Sequence, residues 1–516
     1  MFRAITALVV SVGCFAALAW AESRTWTDST GQFSIEAEFV EYAKGDVTLK
    51  KANDETITLP MNKLSKDDQA WIRALLRERL AERKAAEMRP GANRSGEMRS
   101  DDSRPTRGGN EPEQSEDSAV VNRGAPGDWL QWRGPDSNNI APGPPAPTQW
   151  NDTQNVKWKV EVPGRGHSSP IIVGDLVVVT SADENRKTTG VFAYDKMTGS
   201  PVWQTPITQG GFQGEIHPKN THATSTVASN GKQLFAVFIQ NQSVQLIALD
   251  LQGRLQWQVN AGPYVPQQYK FGYGPSPMLY DDMVIVASEY EKGWLAAFAQ
   301  KDGKSRWKQP RNGISFSSPV VTKIGGKDQL LISGLKMVAA YDPKTGQPLW
   351  STPGTTNATC GTIVWDGDTV FASGGYPDSQ TIAIKAGSSG QVLWTNNEKC
   401  YEQSMLAYDG HVYAMNDGGI FFCWDGQTGQ EKWKTRLGGP VSSSPLLSGD
   451  NIFVANEKGN VWVIKASPES YELVAENRLG DDVFATPIVS QGRLYARFAD
   501  SSQGRRQEYL ICIEQQ

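Results

Sequence analysis

From residue 168 to the end of the chain, one apolar–polar pattern recurs eight times. A short apolar run, a turn and a second apolar run form its first half, as in SSPIIVGDLVVVTS from Ser168, PSPMLYDDMVIVAS from Pro275 and SSPLLSGDNIFVAN from Ser443. Its second half is another apolar run, a turn and then Trp, as in VFAYDKMTGSPVW to Trp203 and IFFCWDGQTGQEKW to Trp433. Runs this short, bounded by Gly, Asp and Asn, read as strands rather than helices. The equivalent tryptophans are Trp158, Trp203, Trp257, Trp307, Trp350, Trp394 and Trp433, and Val474 takes the seventh-repeat place. Their spacing near 45 residues, with four short strands per unit, predicts the blades of a β-propeller.

The eighth unit, YLICIEQQ, stops before its last strand, while the Trp158 strand (NVKWKVEV) has no unit before it. The economical expectation is that residues near 156–162 complete the last blade and close a ring of eight. A ring supplies each amphipathic sheet with neighbours on both faces. The recurrent Trp, placed after a Gly-bearing turn, is read as a structural stacking residue between blades. The Asp/Gly turns, such as Asp195-Lys196-Met197-Thr198-Gly199, are read as hairpin turns, because they lack the run of oxygen ligands that calcium needs.

The N-terminal pattern is different. Apolar positions alternate in Phe33-Ser34-Ile35, Val47-Thr48-Leu49 and Ile57-Thr58-Leu59, with turn residues between them. This predicts a small β-barrel. Ser65 followed by Asp68 predicts a capped helix carrying Trp71, Ile72, Leu75, Leu76 and Leu80 on one face and running on through RERLAERKAAEM. Residues 89–127 mix Arg, acids, Gly, Ser and Pro and offer too little apolar surface to order, which predicts a disordered linker. Residues 1–21 have Arg3, an apolar stretch and Ala19-Trp20-Ala21, the pattern of an export signal cut after Ala21. Cys14 sits in too long an apolar run for a lipoprotein signal. The expected division is therefore a signal peptide at 1–21, a barrel with its helix at 22–88, a linker at 89–127 and an all-β, eight-bladed propeller at 128–516.

Composition adds limits. The 50 Gly and 29 Pro suit a turn-rich fold. With 51 basic and 56 acidic residues, net charge −5, nothing drives the chain toward nucleic acid. No later stretch is long and apolar enough to span a bilayer as a helix. Cys360, Cys400, Cys423 and Cys512 allow three complete pairings in an oxidising compartment, and Cys360 with Cys400 is one possible pair. There is no C-x-x-C and no C-x-x-C-H.

Residues 24–65, through Arg24-Thr25-Trp26, Gly31-Phe33, Ala37-Phe39, Gly45-Val47-Leu49 and Leu59-Pro60, resemble the first homology domain of yeast endocytic adaptors, an SH3-like fold. In the adaptors that fold binds Asn-Pro-Phe peptides, a ligand not carried over here. The repeats, with the lead-in Gln131-Trp132-Arg133-Gly134-Pro135, resemble the pyrroloquinoline-quinone-type propeller superfamily and especially the outer-membrane assembly lipoprotein. The combination is similar to exported proteins of planctomycete-type bacteria. Quinone enzymes of that superfamily hold their cofactor between a vicinal disulfide and a Trp, beside calcium and a catalytic Asp. No vicinal Cys pair and no compact acid set stand here, so no cofactor and no catalytic residue are expected.

Two clusters remain. Glu215, His217 and His222 lie in the longest inter-Trp interval and are candidates for metal contact, set against an ordered loop with a hydrogen-bonded His222. Tyr264, Tyr269, Phe271, Tyr273 and Tyr290 are candidates for an aromatic recognition rim, set against simple packing of an insertion. The favoured function is a non-catalytic scaffold in the periplasm or envelope, binding a protein or surface polymer through propeller loops. The rival is a quinone- or metal-dependent oxidoreductase, or a hydrolase, using the central funnel.

Overall fold

The computed structural model describes residues 24–72 and 124–516, apart from 31–32, 44–45, 52, 54, 66–67, 70 and 388–389. The expected signal peptide, the helical extension from 73 to 88 and the linker as far as 123 lie outside the described residues. The chain forms two compact units, 1–110 and 111–516.

In the first unit, strands Arg24–Thr27, Ser34–Ala43, Asp46–Lys51 and Thr56–Pro60 pair antiparallel in chain order. Alternation puts Trp26, Ala37, Phe39, Val47 and Leu49 inside, where Met61, Leu64 and Ile72 close the core. The expected cap forms: the Asp68 amide donates to Ser65 Oγ at 3.1 Å, and that hydroxyl donates to the Asp68 carboxylate at 2.8 Å. The same carboxylate accepts from Arg24 at 2.8 Å and from the Thr27 amide at 2.8 Å, tying the helix start to the first strand.

In the second unit, eight sheets follow one another among the described residues, six of them with four antiparallel strands in sequence order and the last two each joined by an earlier strand. They begin at the inner strands Ile171–Val173, Ala228–Ser229, Met278–Tyr280, Val320–Ile324, Val364–Asp366, Leu406–Tyr408, Leu446–Ser448 and Ile488–Ser490. These are blades one to eight. The eighth holds Arg493–Asp500 and Gln507–Ile513 and takes its outer strand from Val156–Val162, with Trp158 opposite Cys512. The two ends of the ring are thus sewn together by hydrogen bonds, as the repeat arithmetic required. Middle strands such as Met283–Ser288 and Gly293–Ala299 are buried on both faces, because each blade is covered by a blade on either side. That is why their sequences are continuous apolar runs. Outer strands such as Glu431–Arg436 alternate between exposed and half-buried positions.

The repeat Trp residues act at the joints between blades. The indole N–H of Trp158 donates to Lys196 O (3.1 Å), Trp203 to Leu251 O (2.9 Å), Trp257 to Gln300 O (2.9 Å) and Trp307 to Pro343 O (3.0 Å). Trp394 donates to Gly426 O (2.9 Å) and Trp433 to Ser467 O (2.9 Å), each in the following blade. Trp350 departs from the rule and bonds Gln329 Oε1 of its own blade at 2.7 Å. The turn glycine of the next blade lies under the ring. Gly253 has φ +77°, and a Cβ there would stand 2.6 Å from Trp203. Gly253→Ala is expected to lower stability by about 1–3 kcal/mol, from a left-handed alanine and a clash at one joint. Urea unfolding measures the loss. The Asp turns are self-satisfied, as read: Asp195 Oδ1 accepts from the amides of Met197 (3.0 Å) and Thr198 (2.8 Å).

Candidate functional site

The residues before the first blade do more than lead in. Trp129 pairs with Ile172 of the first blade, and Leu130 O accepts from the Ser229 amide of the second. Trp132 Nε1 donates to Thr362 Oγ1 (2.9 Å) beside the fifth. Arg133 donates to Met405 O (2.9 Å) beside the sixth, and Asn139 to Pro445 O (2.5 Å) beside the seventh. Ile140–Ala141 then adds as a parallel strand to Leu446–Ser448. Residues 129–141 therefore cross the inner strands and plug one mouth of the ring. Arg133 is 1% exposed and donates to the carbonyl oxygens of Ser137, Asn138 and Met405. Burial pushes its guanidinium down, although a guanidinium still carries its charge at neutral pH.

Above the plug lies a cup of about 950 Å³, counted with its open mouth. Trp132 is on its floor, and Phe271, Phe316, Phe484 and Tyr401 stand on its walls. A girdle of hydroxyls, one from just before each inner strand, links the blades, and Thr226, Ser276, Ser318 and Thr362 of it line the cup. The Ser169 amide donates to Thr226 Oγ1 (3.0 Å), Thr226 to Ser276 Oγ (3.0 Å) and Ser276 to Ser318 Oγ (2.9 Å). Farther round, Thr362 donates to Ser404 Oγ, Ser404 to Ser444 Oγ and Ser444 to Thr486 Oγ1, each at 2.9 Å. The hydroxyl oxygens of Thr226, Ser276, Ser318, Ser404, Ser444 and Thr486 thus each accept a backbone N–H from the neighbouring blade.

A strap from the loop before the second blade reaches the far side of the cup. Lys219 Nζ lies 2.7 Å from Glu457 Oε1 of the seventh blade and 3.7 Å from Glu402 Oε2 beside the sixth. The Ser442 hydroxyl lies between those carboxylates, 2.7 Å from Glu457. Arg165 holds Pro218 O at 2.9 Å and Asn220 holds Phe271 O at 2.8 Å, fixing the strap at its base. Burial works against the Lys219 ammonium, but its bond to Glu457 and the nearby Glu402 charge outweigh this and raise its pKa. Burial also raises Glu402, against the pull of Ser442 and Lys219.

Glu215, His217 and His222, the candidates for metal contact set against an ordered loop, lie on this strap. Glu215 is exposed. His217 packs edge-on to Phe271, and its Nδ1 accepts from the Lys219 amide at 3.3 Å. His222 lies against Phe212, with ring centroids 4.1 Å apart. Among the described residues no group of three His, Cys, Asp or Glu side chains could hold a metal ion. The aromatic rim needs correction as well. Tyr264, Tyr273 and Tyr290 are buried in the core between the second and third blades. Tyr264 and Tyr273 bond Gly272 O (2.8 Å) and Ala287 O (2.7 Å), because a buried phenol needs an acceptor. Of the five, Phe271 lines the cup with Phe316, and Tyr269 packs against Phe271 and against Tyr376 (43% exposed). Cys360, Cys400, Cys423 and Cys512 are all free thiols.

His167 stacks on Phe484 with centroids 4.2 Å apart. Desolvation, and then the charges of Arg165, Arg497 and Arg506, hold its pKa well below the usual histidine value. The unfolded chain therefore takes up a proton near pH 6.5 that the folded chain refuses, and stability falls as pH drops below that point. Desolvation lowers His222 in the same direction. Replacing His167 with Phe keeps the stack and should flatten the fall by at most about 1.4 kcal/mol per pH unit. Urea midpoints at about pH 7.5 and 5.5 test this.

A ring of four-stranded blades, closed by its first strand and plugged at one mouth, defines a β-propeller of the quinoprotein-like repeat class. The chain belongs to the family described as outer membrane protein assembly factor BamB, matched over residues 143–264, 187–435 and 378–468, and carries an SLA1 homology domain 1 at residues 19–80. It is 24% identical over 353 residues to the outer membrane protein assembly factor BamB of Burkholderia pseudomallei (strain K96243), covering 60% of this chain and 87% of that one. The N-terminal unit is 43% identical over 49 residues to the actin cytoskeleton-regulatory complex protein sla1 of Schizosaccharomyces pombe, covering 10% of this chain and 4% of that protein. Among solved structures, a europium-containing methanol dehydrogenase superposes with a TM-score of 0.58 at 12% identity, covering 76% of this chain and 99% of the other. That likeness is one of fold. The cup does not fit a metal-assisted quinone: it has no vicinal cysteines, and its carboxylates Glu402 and Glu457 are already engaged by Lys219 and Ser442.

Proposed function

We propose that the protein is a scaffold of the bacterial envelope that holds other chains on the loop face of its propeller. The observation that carries this reading is the plug: residues 129–141 close one mouth of the channel and make it a blind cup. Membership of a family described by outer membrane protein assembly supports outer-membrane chains as the partners. The division of labour follows the sequence reading. An export signal at 1–21 delivers the chain, the barrel at 22–88 grips a second partner, and the linker at 89–127 keeps it at high effective concentration. Among the described residues no helix is long and apolar enough to cross a membrane.

Immobilised full-length protein should capture an unfolded outer-membrane β-barrel protein from solution. Tyr269→Ala with Tyr376→Ala should weaken capture at least tenfold, as removal of aromatic anchors does at interfaces. Equal capture by the double variant, or none by the natural chain, sinks the loop-face reading.

A further inference from the structure

The hydroxyl girdle bears on what the cup holds. Thr226, Ser276, Ser318 and Thr362 line it and are each less than a tenth exposed. Each oxygen accepts one N–H, from Ser169, Thr226, Ser276 or the Trp132 indole, and makes no further hydrogen bond among the described residues. Four O–H hydrogens are therefore left without an acceptor on one wall. His167 Nε2, also on a lining residue, is buried with no hydrogen-bond partner among the described residues. Buried polar atoms in native proteins have partners, so these point to something that sits in the cup.

Its chemistry is constrained from several sides. A bound anion would need a free cation, and Lys219 is already held between Glu402 and Glu457. A bound cation would face the O–H hydrogens of the girdle as well as that ammonium. The walls are apolar ring faces (Trp132, Phe271, Phe316 and the stacked pair His167–Phe484) interleaved with donors and with the Glu402 carboxylate as acceptor. A group that both donates and accepts at many points and carries C–H faces matches this mixture. We propose that the cup binds one end of a neutral saccharide. Ring C–H faces lie on Trp132 and Phe484, sugar oxygens accept from the girdle, and a sugar hydroxyl donates to Glu402. The plug makes the floor blind, so a terminal unit enters rather than the middle of a chain. This rests on the scaffold reading and names a surface glycan as a ligand of the same loop face.

The test titrates the full-length protein with maltose, cellobiose and diacetylchitobiose. Digalacturonate, tri-lysine and acetyl-Ala-Ala-amide serve as anionic, cationic and peptide controls. Tryptophan emission and saturation-transfer NMR report binding. Saturable binding of at least one neutral disaccharide is expected, with weak or absent signals from the controls. Ser318→Ala and Phe484→Ala should each weaken it about tenfold or more, the worth of one good contact, while urea midpoints show both variants folded. Preference for tri-lysine, digalacturonate or the peptide overturns the proposal, as does the absence of any saccharide signal, which leaves a cup filled by water alone. Capture of an unfolded outer-membrane protein without saccharide binding removes this inference and leaves the scaffold reading standing.

Discussion

Ending the chain at residue 506 is expected to abolish the folded propeller. The lost strand, Gln507–Ile513, is the centre of the closure: it pairs with Arg493–Asp500 on one side and Val156–Val162 on the other. It carries Leu510, Ile511 and Ile513, all buried. At about 1.5–3 kcal/mol for each buried aliphatic side chain, these three alone account for roughly 5–9 kcal/mol. That is comparable with the about 5–15 kcal/mol that separates a typical domain from its unfolded state. The cost also includes the unpaired edges of two strands and the orphaned Glu161 and Lys159 backbone. Circular dichroism and size-exclusion chromatography should show an expanded, aggregation-prone chain. A truncated protein with a cooperative transition near the full-length midpoint would show that the ring does not depend on its seam.

Replacing Arg497 with Met should lower stability by about 3–5 kcal/mol. The guanidinium is 1% exposed and binds Glu508 Oε2 at 2.6 Å, with Ser168 Oγ at 3.1 Å and Thr180 O at 2.6 Å. It joins the eighth blade to the first at the seam. Removing it leaves Glu508 buried with Arg506 at 2.9 Å as its remaining ionic partner, and leaves Thr180 O short of a donor. A methionine fills the volume, so the loss measures the uncompensated charge more than a cavity. Adding Glu508→Gln should restore part of it, because a neutral amide is cheaper to bury than a lone carboxylate. Urea unfolding of the single and double variants gives the coupling. Additive losses in the two variants would mean that the pair does not act as a unit.

The repeat made most of the fold legible. Apolar runs of strand length, a Trp at a fixed place and a last unit one strand short together pointed to closure by residues near 156–162, and Trp158 stands opposite Cys512. The joints were legible for the same reason, since Trp203 and Gly253 recur as a pair of features one repeat apart. The site was read less well. Arg133 and Met405 are 272 residues apart, and no local pattern announces that a Q-W-R-G-P segment will plug the ring. Lys219, Glu402, Ser442 and Glu457 come from three separate blade regions and form no motif. Tyr264, Tyr273 and Tyr290 resemble a rim because insertions usually lie at the surface, yet they turn inward into the core shared by the second and third blades. The Ser or Thr just before each inner strand, from Ser169 to Thr486, recurs as regularly as the Trp, and four of them, Thr226, Ser276, Ser318 and Thr362, line the cup.

The plug also bears on the order of events as the chain is made. Residues 129–141 emerge before any blade, but their anchors include Thr362, Met405 and Pro445. They have nowhere complete to dock until the seventh blade has been synthesised, and Val156–Val162 must wait for the final residues. Contacts so distant along the chain slow folding and prolong exposure of strand edges. A nascent chain halted before residue 446 should therefore expose Trp129 to quencher, and the finished one, where it is 1% exposed, should not.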